Sequence, residues 1–479
     1  GAGATFYGEY KKEELYKVVS FGERHGFKVF SWQFPNMTQE LAQELLPECP
    51  KEELPITRNK NDEEEKLPVY IDFSHPRAKE LLAAQWKDRM DAGIRGSMVD
   101  FGDVVPDEAV FYDGRRGDEM HNAYAYQYAK NYRELFEQKY GDDHVLYTRG
   151  AAPGSQHFAC QFGGDQLTSF QGLKYAIAGG LSAAASGLPF WGVDAGGYDG
   201  FPDQETYLRW TEYAAFCPLM RFHGTEPREP WEYDAFTVKV YRYYTWLREN
   251  LRPYIVSVAA EAHKLGIPMM RPLAMMYPED QEATKVWDEY LFGEDLLVAP
   301  VSDETEEREI YFPEGRWISL WNLNDEISGP VQRSVEVPID KIPVYIREGS
   351  FLPLRLNESL KLGESMSESE TEMILAVVPQ NDSIVKETLY ERSGAKTCCG
   401  MEKNGETIQL QISGRTAELY VMLAGIHWKS TEAIVNGRTL TKVTAREGLY
   451  FTEGYLELEE GILVKINPSA ESVIKIQKK

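Results

Sequence analysis

From about residue 11 to residue 261 the sequence alternates helical stretches with short β-rich runs. This constrains the fold more than any other feature, because strands that alternate with helices build a parallel sheet. The runs Lys28-Val-Phe-Ser-Trp32, Gly96-Ser-Met-Val-Asp100, His144-Val-Leu-Tyr-Thr-Arg149 and Leu188-Pro-Phe-Trp191 each stop at a polar or aromatic residue that leads into Gly, Pro or loop sequence. They read as the C-terminal ends of strands. Between them, 77–92, 121–139 and 171–186 carry apolar residues at three- and four-residue spacing and read as helices. In a barrel of this kind the loops at the strand C-terminal ends converge over the mouth, so Asp100, Arg149 and Asp194 are expected there.

After about residue 266 the pattern changes to short Val, Ile, Leu and Tyr runs separated by turns such as Pro313-Glu-Gly, Asn404-Gly and Asn436-Gly. Two β-sandwich-like modules are expected, 266–355 and 356–479, with a polar stretch at 357–371 opening the second. The α/β part then occupies 1–265.

Composition excludes several functions. The formal net charge of −25 is spread along the chain. It disfavours binding to nucleic acid or anionic membranes and suits a neutral substrate. The acidic stretches 62–66 and 303–309 read as solvated loops. The longest apolar run, around 181–191, is broken by Ser182, Ser186, Gly187 and Pro189, so no segment reads as a membrane span. Gly1-Ala-Gly-Ala-Thr5 has neither the basic nor the apolar region of a signal peptide and reads as a processed or remnant end. Five scattered cysteines without a CxxC pair argue against a disulfide framework or structural zinc. A reducing, cytoplasmic setting is expected. His121, His144, His157 and His223 fall at no metal-ligand spacing, and no glycine-rich phosphate loop occurs. No metal and no cofactor is expected.

A carboxyl group can serve as nucleophile or as general acid/base, but among 76 acidic residues spacing alone selects none. Position and surroundings single out two. Asp100 lies in Met98-Val-Asp-Phe-Gly-Asp103 at the end of an apolar strand. Asp165 lies in Phe162-Gly-Gly-Asp-Gln166, where the glycines let backbone approach a ligand and the ring can shield the carboxyl, raising its pKa as an acid requires. On chemistry alone each serves equally well as a cap or ion-pair partner.

A string of segments in order resembles glycoside hydrolase family 31, a family of retaining α-glycosidases. They are Met98–Asp103, Glu119-Met-His-Asn-Ala-Tyr-Ala-Tyr126, Arg149 with Gly154-Ser-Gln, Phe162–Gln166, Phe190-Trp-Gly-Val-Asp-Ala-Gly-Gly-Tyr198, Arg221-Phe-His-Gly224 and Tyr290-Leu-Phe-Gly-Glu-Asp-Leu-Leu-Val-Ala-Pro-Val301. The resemblance implies a (β/α)8 TIM barrel followed by the two all-β modules. It implies Asp100 as nucleophile and Asp165 as general acid/base, with the two carboxyls about 5–5.5 Å apart. It also places Arg149, Asp194 and His223 on sugar hydroxyls and Trp32 and Trp191 as pocket walls, with Met98, Phe101, Phe162 and Tyr198 nearby and Asp103 behind them. For Arg149 with Asp194 the alternative is an internal ion pair, for His223 a satisfied buried imidazole, and for the tryptophans core packing.

The pattern departs from the family in places. Asp103 and Phe162 stand where most members have Glu and Trp. Met98 replaces the Lys of the α-xylosidase branch that 119–126 and 221–233 otherwise resemble. Met98 with Gly-Gly-Tyr198 is closer to the sulfoquinovosidase branch, and α-glucosidases and α-galactosidases also occur in the family. An α-glucoside-type substrate ranks above any single sugar. The other class kept open is a non-catalytic carbohydrate-binding or scaffold subunit. The resemblance begins near residue 11, before what should be the fourth barrel strand, so the first strands are expected from an N-terminal half, a second chain or a longer parent. A homo-oligomer is also possible on these grounds. The stretches 52–66 and 107–118 are expected to be long loops near the mouth.

Overall fold

The computed structural model describes residues 3–6, 12–59, 69–366, 372–415, 417–428, 430–450 and 452–479. The chain divides into two compact units, Gly1–Gly164 and Asp165–Lys479.

The first unit is a parallel sheet backed by helices. Strands Gly3–Phe6, Lys28–Gln33, Gly96–Val99, Val145–Thr148 and Cys160–Phe162 lie side by side in that order, all parallel. The first of these lies in the segment read as a remnant end; pairing along a main-chain ladder with Lys28–Ser31 makes it a strand without any side-chain alternation to announce it. Helices expected at 77–92 and 121–139 form at Ala78–Asp91 and Gly117–Tyr140. Alternate strand residues Val29, Val99 and Leu146 share a core with Leu15 and Val19 of helix Lys12–Arg24, with Leu82, Trp86 and Met90, and with Tyr124, Tyr128, Tyr132 and Phe136. Those four aromatics recur every fourth residue, which puts them on one face of their helix. Because side chains alternate along a strand, Phe30, Trp32, Met98, Tyr147 and Phe162 face away from those helices. The expected loops at 52–66 and 107–118 meet in a short antiparallel ladder, Arg58–Asn59 with Ala109–Val110; residues 60–66 lie outside the described ones.

The second unit continues the β/α pattern and then becomes all β. The strand expected at 188–191 forms instead at Trp191–Asp194, parallel to Leu219–Arg221. Pro189 has no N–H for a ladder, and its carbonyl accepts the N–H of Met269. Helices Phe170–Ala185, Gln204–Ala215, Ala235–Asn250 and Arg252–Leu265 accompany these strands.

Three six-stranded sheets follow. The first runs from Met270–Pro272 to Val344–Arg347 in sequence and is a single sheet with both faces covered. Tyr290, Phe292, Leu296 and Val298 face the helices, while Leu291, Leu297, Phe312 and Trp317 form a separate core on the far side. Pro313-Glu-Gly315, expected as a turn, is a bulge inside strand Glu307–Ser319. There Gly329 is needed opposite it, since a Cβ would lie 2.0 Å from the Pro313 carbonyl oxygen. Likewise residues 307–309, expected as loop, open this strand. Asn404-Gly405 and Asn436-Gly437 do turn hairpins. The other two sheets pack face to face through Leu375, Val421 and Val464 on one side and Leu410, Ile412 and Ile474 on the other. The second sheet begins at Phe351–Leu356. The polar stretch at 357–371 follows it, of which 367–371 lie outside the described residues.

Candidate active site

In the first unit the ladder passes its last pair at Val99, and the N–H of Asp100 donates to the Gln33 carbonyl at 2.7 Å. The chain then turns sharply. Phe101 takes a φ of 56°, uncommon for a bulky side chain, and this conformation accompanies donation by the Phe101 N–H to Asp100 Oδ1 at 2.8 Å. Gly102 follows at φ 77°, where a Cβ would meet the Tyr128 ring at 2.6 Å. The aromatic helix thus supports the turn from behind.

Asp100 is buried, 7% exposed as a residue. Trp32 Nε1 donates to Oδ2 at 2.9 Å, and Arg149 Nη1 stands 3.7 Å from Oδ1. The same guanidinium donates from Nη2 to Asp103 Oδ1 at 3.2 Å and lies 4.2 Å over the Phe101 ring. One cation therefore serves two carboxylates and an aromatic face. Gly164 makes room for it, since a Cβ there would come 3.0 Å from Arg149 Cδ. Met98 is buried, in register between Trp32 and Tyr147. Phe162 is buried with its ring edge-on to Tyr147 at 5.9 Å. The donors fix the direction in which the Asp100 oxygens point, so the arrangement suits a carboxylate that attacks.

The second unit begins at Asp165, which is exposed. The expectation of a shielded carboxyl meets an exposed residue; the Phe162 ring stands edge-on to Tyr147 in its own unit. The segment after Asp165 is tied down by main chain. Tyr198 N–H donates to the Gln166 carbonyl at 2.8 Å, and Leu167 forms a parallel bridge with Asp199.

Asp194, buried at the end of its strand, is ion-paired with Arg221. Tyr198 places its ring 5.2 Å from that of His223. Burial, reinforced by the charges of Arg221 and Arg228, pushes the His223 pKa down to about 4, so the imidazole is neutral at ordinary pH and able to accept a hydrogen bond.

Trp191 requires a correction. Standing at the start of its strand and three residues from Asp194, it points to the opposite face. A Cβ on Gly180 of helix Phe170–Ala185 would lie 2.7 Å from its Nε1 and 3.2 Å from Tyr213 Oη. The indole packs against helices, and the core alternative holds.

Two residues gained their place only from the structure. The sequence assigns no role to Arg221, although it lies in a family-like motif, and none to Arg228, whose guanidinium is held by the carbonyl oxygens of Gly197, Tyr198 and Gly200. Main-chain acceptors have no signature in sequence.

Comparison with known proteins identifies the family. Residues 9–258 match the model of the glycosyl hydrolases family 31 TIM-barrel domain, and residues 266–352 match the family 31 C-terminal domain. The chain belongs to glycoside hydrolase family 31. It is 32% identical over 430 residues to an isomaltosyltransferase of Sporosarcina globispora, a match covering 84% of this chain and 39% of that protein. It is also 32% identical over 294 residues to an alpha-xylosidase of Emericella nidulans, covering 59% and 38%. Among solved structures, a cycloalternan-forming enzyme from Listeria monocytogenes in complex with a pentasaccharide substrate superposes with a TM-score of 0.89 at 24% identity, over 99% of this chain and 48% of that one. That likeness concerns the fold. The chain spans about two fifths of the length of these curated relatives.

Proposed function

We propose that this chain forms the catalytic part of a retaining α-glycosidase acting on terminal α-glucoside-type linkages by double displacement. The observation that carries the reading is the grip on Asp100: a carboxylate at a strand C-terminal end, aimed by Trp32 Nε1 at 2.9 Å and by the Phe101 N–H at 2.8 Å, with Arg149 alongside.

In this reading Asp100 attacks the anomeric carbon while Asp165, protonated, gives its proton to the departing glycosidic oxygen. The C–O bond to the aglycone breaks and a glycosyl ester of Asp100 forms. Asp165, now a carboxylate, takes a proton from water as that water attacks the same carbon. The ester breaks, Asp100 is regenerated, and two inversions retain the configuration. Exposure of Asp165 suits a group that must regain its proton from solvent. Arg149, Asp194 and neutral His223 bind sugar hydroxyls, contacts that strengthen as positive charge develops at the anomeric centre. Trp32 offers its face to the sugar while its N–H holds Asp100.

The α-glucoside preference rests on the isomaltosyltransferase match, which extends over more of the chain than the xylosidase match. A sulfoquinovoside, xyloside or galactoside substrate is the competing outcome. The rest of the barrel is supplied by further sequence of the same protein or by a partner chain. Five free cysteines fit a reducing, cytoplasmic setting.

The test is an assay of the full-length protein on aryl α-glucoside, α-xyloside, α-galactoside and α-sulfoquinovoside, alongside Asp100→Ala. Turnover of the glucoside, abolished by the substitution, is expected. Turnover of a different sugar moves the specificity and keeps the mechanism. Sugar binding without turnover of any of the four replaces the proposal with a carbohydrate-binding subunit.

A further inference from the structure

An exposed general acid on a loop works only if something fixes the loop. The segment carrying Asp165 borrows its position from the segment 197–199. Gln166 O accepts from Tyr198 N–H, Leu167 is bridged to Asp199, and Gly197, at φ 79°, is pressed so close that a Cβ would lie 2.6 Å from Thr168 Cα and 2.7 Å from the Leu167 carbonyl oxygen. Gly172, in the first turn of the helix that follows, lies equally close, its Cβ position 1.9 Å from the same oxygen. The question passes to what fixes 197–199.

Arg228 does so. Its Nε and Nη2 donate to Gly197 O at 3.1 and 2.8 Å, and Nη2 also reaches Tyr198 O at 3.1 Å and Gly200 O at 2.6 Å. Nη1 closes the other side on Glu226 O at 2.9 Å and Pro227 O at 3.1 Å. Arg228 as a residue is 6% exposed. Gly224 admits the guanidinium, for a Cβ there would stand 2.4 Å from Cζ. The Arg228 carbonyl in turn accepts from the Tyr207 hydroxyl at 2.9 Å, and Tyr207 belongs to helix Gln204–Ala215, which is buried along its length.

We propose that Arg228 is the positioning residue for the general acid/base, transmitting the rigidity of helix Gln204–Ala215 through the carbonyls of 197–200 to the Asp165 loop. The inference rests on the reading of Asp165 as the acid. A guanidinium suits the task because its planar fork reaches several fixed acceptors at once, which an ammonium cannot. Burying a cation among neutral carbonyls costs solvation, and burial accordingly pulls the Arg228 pKa below its ordinary value. A site where packing alone mattered would be served by an apolar side chain.

The measurement is kcat/KM of the full-length enzyme along a series of α-glycosides of one sugar, from the glycosyl fluoride, whose departure needs little acid help, to the phenyl glycoside, whose departure needs much. For Arg228→Lys we expect a loss of about 30- to 100-fold on the phenyl glycoside and less than about 3-fold on the fluoride, within the range acid catalysis supplies. In an Asp165→Ala background the same change should add no leaving-group dependence. Gly197→Ala, which leaves Arg228 intact and pushes the two segments apart, should reproduce the graded loss and covers the case in which Arg228→Lys does not fold. A loss equal across the series in both variants overturns the positioning role while leaving the glycosidase reading standing. Turnover that survives Asp165→Ala undiminished on every leaving group overturns the acid assignment and this inference with it.

Discussion

Asp100 lies 7% exposed with hydrogen bonds from an indole and a main-chain N–H arriving directly on its carboxylate oxygens, whereas Asp165 stands exposed on a loop whose main chain is anchored by a neighbouring loop. The contrast follows from what each group has to do in the proposed reaction. A nucleophile must point one way, and fixed donors hold it so. An acid that becomes a base within one turnover has to trade protons with solvent, which an exposed position allows.

The largest expected effect tests the nucleophile. Asp100→Ala should lower kcat/KM by at least about 10,000-fold on every leaving group, and added azide should then give the β-glycosyl azide, by a single inversion. Asp165→Ala should cost about 100- to 10,000-fold on poor leaving groups and far less on the fluoride, with azide giving the α-glycosyl azide by replacing water in the second step. Product stereochemistry read by NMR thus separates the two carboxylates; the same azide anomer from both variants breaks the comparison. Trp32→Phe, which keeps an aromatic face and deletes the N–H on Oδ2, should cost about 10- to 100-fold, the worth of a hydrogen bond to a charged group. That loss should be uniform along the leaving-group series, unlike the loss at Arg228.

The smallest effect concerns stability. His223 has a folded pKa of about 4 against an ordinary 6.5, so between those values the unfolded chain binds the proton more readily and stability falls as pH is lowered. His223→Gln should flatten the dependence of melting temperature on pH between about 4 and 6.5. An unchanged slope would mean that His223 is not held neutral by its surroundings.

Much of this was legible from residue order because strand ends and tight turns leave marks. Met98-Val-Asp-Phe-Gly marks an apolar run, a carboxylate and a glycine where the chain turns, and Asp194 ends its strand in the same manner. What escaped has physical reasons. Leu188-Pro-Phe-Trp191 has the composition of a buried strand, yet the ladder starts where the run ends; the wall role of Trp191 came from the resemblance, and strand alternation puts its side chain opposite to that of Asp194. Strand Gly3–Phe6 is made by pairing alone. The Pro313 bulge looks locally like any Pro-Glu-Gly turn, and only its partner strand turns it into a kink within a strand. Arg228 works on carbonyl oxygens, which every residue possesses. Exposure of Asp165 was misjudged because sequence proximity of a phenylalanine says nothing about which way its ring faces.

The sheet that begins at Phe351–Leu356 has apolar residues on both faces. Leu352, Leu354, Ile374, Ala376 and Met422 belong to the core shared with helices Ala235–Asn250 and Arg252–Leu265, while Phe351, Leu375, Val377 and Val421 belong to the core of the sandwich. This last quarter of the chain is therefore no detachable accessory on a tether. Trimming it to obtain a smaller catalyst would strip one wall from the helices, and grafting it elsewhere would carry a greasy slab into water. For an engineer the practical unit of exchange in this fold is the loop at a strand end, not the module.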